Sequence, residues 1–438
     1  MLARWMSFGK HLSKLHSAMN GLLLRNTLWM LLGDGIRLLL QMVYFVIIAR
    51  TLGASGYGLF IGVVTLVAIL TPFSSLGRGE LLIMNVSRDK ELFREYFGNA
   101  LFMTAVSGIA LTVFAIILGR FLLPESISTS IIVWVAVSDL IMYRVLEICG
   151  QSYQAFERLK RTAQLNMLMG VVRLAGALAL LFVAAQHSVE EWAILYFLTT
   201  GVMAVAALAL VIHELGGPQL HLQKVVKEWR SGAYFSISQS SLVVYSDIGK
   251  TILVKYASAQ HAGIYAAASR IVDVTLAPIY SLMSAAFSRF FQEGKYGITA
   301  SVRYANKLLL ISLAYSAIAW LGLYLIAPVL PWILGEDYRF AVEAVQWMAL
   351  IPLLKSLHFF AADALTGAGF QGWRSAIQVF VAALVAVLHI LIVPLFLWKG
   401  AIVVSIIGDI LLCCGYWGII GYLQRRERIV GVTGQLTN

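Results

Sequence analysis

Apolar residues fill runs of about twenty positions, and clusters of charge, glycine or proline separate each run from the next. The runs lie at 27–49, 57–77, 97–118, 129–150, 164–185, 190–213, 232–256, 262–284, 305–327, 341–363, 373–396 and 401–423. A helix of roughly 20 residues crosses the hydrocarbon core of a bilayer, so the pattern predicts twelve membrane-spanning helices. Backbone groups in lipid must bond within their own segment, which makes the helix the required form. The alternating ten-residue strands of an outer-membrane barrel are absent. Three runs are less regular: 232–256 and 262–284 carry internal charge, and 341–363 holds Pro352 and Lys355. The expected fold class is an all-α integral membrane protein.

Composition agrees with lipid as the solvent. The chain is 60% hydrophobic and 13% charged over 438 residues, where a soluble domain has about 25% charged residues. Residues 1–26 have no uninterrupted apolar core and no A-x-A site, so they do not read as a secretory signal. They suit an interfacial amphipathic helix with Trp5, Phe8, Leu12 and Leu15 on the lipid side. Cys149, Cys413 and Cys414 lie in apolar runs without CxxC spacing and read as small apolar side chains, with no disulfide or metal role.

The net charge of +11 is explained by position. Of 33 basic residues, 22 fall in the N-terminal segment, alternate connections and the C-terminal tail. The opposite connections hold five, namely Arg50, Arg120, Lys255, Arg339 and Lys399. The positive-inside rule then puts both termini in the cytoplasm and requires an even number of spans. Nucleic acid is not an expected partner; membrane lipid is. The expected organisation is a cytoplasmic or interfacial segment 1–26, a first lobe 27–213, a cytoplasmic linker 214–231, a second lobe 232–423 and a cytoplasmic tail 424–438.

A weak repeat supports two lobes. Ala49-Arg50-Thr51-Leu52-Gly53-Ala54-Ser55-Gly56-Tyr57-Gly58-Leu59-Phe60 follows the first span, and Val254-Lys255-Tyr256-Ala257-Ser258-Ala259-Gln260-His261-Ala262-Gly263-Ile264-Tyr265 follows the seventh, 205 residues later. Arg161-Thr162-Ala163 and Arg374-Ser375-Ala376 form a second echo. Six spans plus six in the same orientation imply two six-helix bundles related by a pseudo-two-fold axis along the membrane normal, with a site near the midplane between them.

The stretch from Ala49 to Phe60 resembles the first-loop signature of the polysaccharide (O-antigen type) flippases of the multidrug/oligosaccharidyl-lipid/polysaccharide exporter superfamily. Ala262-Gly263-Ile264-Tyr265-Ala266-Ala267-Ala268-Ser269-Arg270 is similar to that family's segment at the start of the eighth helix, and Gln154-Ala155-Phe156-Glu157-Arg158 to its connection after the fourth. The resemblance implies twelve helices in two lobes, as in the multidrug exporters of the superfamily. It also implies a bacterial inner-membrane location and export of lipid-diphosphate-linked oligosaccharide, with polysaccharide assembly proteins as further partners. Lipid II flippases usually carry two more helices than the twelve runs counted here, so that subgroup fits less well.

Among the charges inside the predicted spans are Arg37, Arg144, Arg173, Lys250, Arg270, Lys355, Asp34, Asp139, Glu147, Asp247, Asp273, Glu343, Asp363 and Asp409. Each costs at least ~2.5–3.5 kcal/mol at the bilayer centre, so they are expected to face the bundle interior and to converge on one hydrated chamber. Four pairs sit at i, i+3: Asp34/Arg37, Arg144/Glu147, Asp247/Lys250 and Arg270/Asp273. Such pairs can neutralise themselves and lock a helix in its lobe, the preferred reading for Arg144/Glu147. Alternatively their cations, in a wet cavity, attract a diphosphate. Arg37 and Lys250, in the equivalent first and seventh helices, fit the second role, and Arg270 is a further candidate. Arg173 and Lys355 have no acid at i±3 or i±4, and an unpaired cation at that depth invites an anion.

No nucleotide motif is visible. The one GxGxxG, at Gly367, Gly369 and Gly372, lies between two membrane helices with no strand before it. With no cofactor expected, a proton or sodium gradient is the economical driving force. Asp34, Asp247 and Asp273 are the candidate coupling carboxylates, with Asp409 and His389 weaker. His389 reads first as a helix-contact residue. The expected function is a non-enzymatic flippase for undecaprenyl-diphosphate-linked oligosaccharide. The alternatives are a multidrug or cation antiporter of the same superfamily, or a membrane polysaccharide polymerase, for which the short outer connections leave little room.

Overall fold

The structure, a computed structural model, describes residues 2–221 and 229–436, with side chains at residue 35 and residues 38–221, 236–237 and 239–427. The suggested lipid-facing residues Trp5, Phe8, Leu12 and Leu15 therefore lie outside the described side chains, as do Asp34 and Arg37.

The described residues build twelve rods. In the first half, α1 (Leu2–Ser74) contains two rods that meet at Gly53, whose φ of 67° is readily adopted only by glycine. α2 (Arg78–Val86) is short, and α3 (Phe93–Leu122) is the third rod. α4 (Thr129–Val137) and α5 (Tyr143–Ala155) make the fourth, joined through a π-turn at Ser138–Met142. α6 (Leu159–Phe182) and α7 (Val189–Leu215) complete this half.

In the second half, α8 (Trp229–Tyr256) is followed by α9 (Ala259–Thr275) and α10 (Ala277–Gly294), a single rod bent by 46°. α11 (Ile298–Ile326) ends in the short α12 (Leu330–Leu334). α13 (Ala341–Met348) and α14 (Ile351–Gly367) form the tenth rod. α15 (Gln371–Leu436) holds the last two, meeting at Leu397 with φ 55° and ψ −138°.

Two of the three irregular runs explain themselves. The eighth rod bends just before Pro278, and the tenth breaks just before Pro352, because proline removes a helical hydrogen bond. The polar connection after the second span contains α2, which buries Leu82 and Val86.

Packing follows lipid rules. On α3 the large side chains Val106, Ile109, Val113, Ile117 and Phe121 are exposed, while Thr104, Gly108, Thr112, Ala115 and Gly119 face inward. Small residues let helices approach closely where lipid offers no hydrophobic drive for association. Gly108 fits against Ile141 and Gly119 against Ile132.

Three apolar clusters organise the interior. One lies wholly in the first half, from Leu82 to Val211. A second lies wholly in the second half, from Tyr245 to Leu423. The third draws on both, joining Phe45–Leu70, Ile131 and Trp192 to Ile252–Val272 and Trp398–Ile402. It closes one end of the molecule, hereafter the sealed end. Beside it, α1 and α8 run along each other in a seam of hydroxyls. Thr251 donates to Gly62 O (3.2 Å), Ser240 to Ile69 O (2.9 Å) and Ser236 to Pro72 O (2.6 Å).

Candidate functional site

Two cavities lie beside the sealed cluster, which lends Tyr265, Val272, Met348 and Ile351 to the wall of the smaller. The larger, about 570 Å³, is walled by α1, α2, α5, α6 and α7 of the first half and by Gln239, Leu242, Val243 and Arg270 of the second. Among the described residues, three guanidinium groups reach it, each held differently. Arg173 is 9% exposed. Its guanidinium lies flat on the Tyr196 ring, 3.5 Å from the centroid, and donates to Tyr196 O (3.1 Å) and Thr200 Oγ1 (2.8 Å). The Tyr196 hydroxyl in turn donates to Asp139 Oδ1 at 2.9 Å, so an acid and a cation are bridged by one aromatic ring. Arg144 pairs with Glu147 and donates to Ser75 Oγ at 3.2 Å. Arg270 arrives from the opposite half and, among the described residues, makes a long contact, 3.5 Å, to Gln41 Oε1.

Helical spacing puts these groups on cavity-facing stripes. Asn166, Gly170 and Arg173 recur at i, i+4 and i+7 on α6, and Asp139, Tyr143 and Glu147 at successive i+4 steps on the fourth rod. The wall thus combines three cations with Glu80, Asp139 and Glu147, the amides of Gln41, Asn166 and Gln239, and the rings of Tyr44, Tyr143 and Tyr196. Such a surface can hold a multiply charged anion in bidentate hydrogen bonds and a polyol beside it.

The smaller cavity, about 240 Å³, belongs to the second half alone and is lined by Asp247, Asp273, Asp409, Lys355, Tyr245, Tyr265 and Tyr280 among others. Asp409 is buried. It accepts hydrogen bonds from the Tyr245 hydroxyl and from His358 Nε2, the latter at 3.0 Å. Lys250 pairs with Asp247. The Tyr265 hydroxyl and Ser405 Oγ lie 2.9 Å apart.

α9 stands between the two spaces. Arg270 faces the larger cavity, whereas Tyr265, Ser269, Val272 and Asp273 face the smaller. This corrects three expectations. The charges gather in two cavities rather than one chamber. Arg270 and Asp273 form no ion pair among the described residues, because the boundary between the cavities runs between their side chains. Arg173 and Lys355 do meet acids, supplied by other helices. Asp139 shares the cavity of Arg173, and Asp273, Asp409 and Asp247 share that of Lys355.

Two further acids leave the midplane. Glu343 sits in the first turn of α13, half-buried and 2.7 Å from Lys399, and Asp363, near the end of α14, pairs with Arg374 at 3.3 Å. His389 packs its ring on Gly249, where a Cβ would lie 2.5 Å from Nε2, and its Nδ1 bonds Val385 O at 2.8 Å. It is a helix contact, as its isolation suggested.

Sequence reasoning missed His358 and the polar neutral wall of Gln41, Asn166 and Gln239. The only signal for the wall was the stripe that Asn166 shares with Arg173.

The family model described as polysaccharide biosynthesis protein matches residues 23–293, more than half of the chain. The chain belongs to this family. Among solved structures, an inward-facing multidrug resistance MATE transporter of the MOP superfamily is similar at a TM-score of 0.71 and 12% identity, covering 89% of this chain and 96% of that one. An outward-facing form matches at 0.59 and 14% identity, with 90% and 95% covered. A MOP-superfamily transporter from Pyrococcus furiosus, described as having a binding pocket of reverse polarity, matches at 0.60 and 14% identity, with 91% and 95% covered. No curated protein matches. The protein is a multi-pass membrane protein of the polysaccharide biosynthesis family with the twelve-helix fold of MOP-superfamily transporters.

Proposed function

We propose that the protein is a flippase that carries undecaprenyl-diphosphate-linked oligosaccharide from the cytoplasmic to the periplasmic leaflet of a bacterial inner membrane, driven by a proton or sodium gradient. The observation that carries this reading is the convergence of Arg144, Arg173 and Arg270, from both halves, on one cavity of about 570 Å³. Guanidinium forks suit phosphate oxygens, and the amides and tyrosines beside them suit sugar hydroxyls. The head group enters this space while the polyprenyl tail stays in lipid, so no covalent chemistry is asked of the protein. On this reading both termini are cytoplasmic, the sealed end faces the periplasm, and the assembly proteins that receive the cargo are further partners.

Arg173 and Arg270 are the foremost head-group ligands. Lys250, tied to Asp247, and Lys355, in the smaller cavity, belong with the coupling groups Asp247 and Asp273. Size argues against a drug antiporter using that acidic space. At about 240 Å³ it falls below the ~300–1,000 Å³ of drug-sized sites.

Complementing a deletion strain with Arg270→Ala or Arg173→Ala tests the proposal. Surface polysaccharide should disappear at unchanged protein level. Full export by both variants, or sensitivity to cationic dyes with normal polysaccharide, would refute it.

A further inference from the structure

The two repeat signatures meet each other at the sealed end. Positions 54, 58 and 50 of the first recur as 259, 263 and 255 of the second, an offset of 205 in every case. A Cβ added at Gly58 would lie 1.8 Å from Ala259 O, and one added at Gly263 would lie 1.9 Å from Ala54 O. The two helix starts therefore cross backbone to backbone, each offering a glycine to the other's alanine carbonyl. The obstructing atoms are main chain and cannot swing aside.

The basic residues repeat the reciprocity. Arg50 of the first half donates through Nη1 to Ile333 O of the second, at 3.4 Å. Lys255 of the second half donates through Nζ to Leu123 O of the first, at 3.2 Å. Leu123 closes α3, the third rod of its half, and Ile333 lies in α12, the turn that ends the third rod of the other. Carbonyls at helix ends lack intrahelical partners and carry the negative end of the helix dipole, so both accept a cation well. On the second-half side, the Tyr338 hydroxyl adds a bond to Ala49 O at 3.0 Å.

We propose that Arg50 and Lys255, working with the Gly58/Gly263 crossing, are the latch that holds the large cavity closed at its outer end, and that transport requires this latch to part. The inference rests on the alternating-access reading above, since both bonds bridge halves that must separate there when the cavity opens outward. Arg50 and Lys255 are positioning residues, not ligands. Losing contacts made only in the sealed state shifts the population toward the open one.

The test reads conformation, not cargo. Cys149, Cys413 and Cys414 are replaced by serine, and Ala68→Cys places one thiol on the cavity wall. A membrane-impermeant maleimide is then applied to right-side-out and to inside-out vesicles. The unmodified latch should allow labelling mainly from the cytoplasmic side. Arg50→Ala or Lys255→Ala should each raise the outside-to-inside ratio about threefold, and the double variant about tenfold, through gain outside and loss inside. Arg50→Lys with Lys255→Arg should keep the original ratio, because both donors remain. If the alanine variants do not accumulate, Gly58→Ala reads the same ratio through its clash with Ala259 O.

An unchanged ratio, or a gain outside with no loss inside, would overturn the latch. Failure of the flippase reading would appear separately, as normal surface polysaccharide in the deletion strain.

Discussion

The two cavities share a wall and differ in almost everything else. The larger is built by both halves, carries three arginines, and has room for a diphosphate with its first sugars. The smaller is built by one half, carries three aspartates and a lysine, and has room for about eight waters. Two of its carboxylates are also already engaged: Asp247 by Lys250, and Asp409 by Tyr245 and His358. An intramembrane cation with a loose partner is suited to bind something that comes and goes, whereas carboxylates already held by partners of their own can take up a small ion only by exchanging it for one of those partners. On the proposed reading, cargo and driving ion thus have physically distinct addresses.

The sharpest way to break this division is to cross it. Arg270→Ala should weaken binding of a pyrophosphate-bearing lipid to the purified protein by about 10–100-fold, the worth of a charge-assisted hydrogen bond to phosphate. Arg144→Ala should cost less, because Arg144 is already paired with Glu147. Microscale binding assays on the two variants would show whether that order holds. In the smaller cavity, Asp409→Asn or His358→Gln should leave this lipid affinity within about twofold of the original while abolishing the response of transport to an imposed ion gradient in proteoliposomes. A parallel loss of affinity would merge the two sites.

Smaller effects mark the pairs outside both cavities. Arg374→Ala leaves the buried carboxylate of Asp363 without its cation and should lower stability by about 1–3 kcal/mol, visible as a fall of melting temperature in detergent without change in lipid affinity. Lys399→Ala removes only an exposed pair with Glu343 and should change stability by less than about 1 kcal/mol.

What was readable in advance follows from how each feature is encoded. Twelve rods and the repeat at 205 residues are properties of local periodicity, and they appear in the chain as written. So does the assignment of His389 to packing. The pairing of charges is different. Arg144 with Glu147 and Asp247 with Lys250 are neighbours on one helix, and spacing finds them. Arg173 beside Asp139, Lys355 beside Asp273, and His358 bonded to Asp409 depend on which rods come to lie together, and no periodicity carries that information. The separation of Arg270 from Asp273 was hidden for the same reason. Their spacing satisfies an intrahelical pair, but the spaces on either side of α9 draw the two side chains apart.

That boundary has a mechanical consequence. Because α8 and α9 together partition the two voids, a sideways displacement of them enlarges one compartment at the expense of the other. On the proposed reading, an ion that swells the small compartment would squeeze the large one, and occupants on the two sides would compete through a moving partition without ever touching each other.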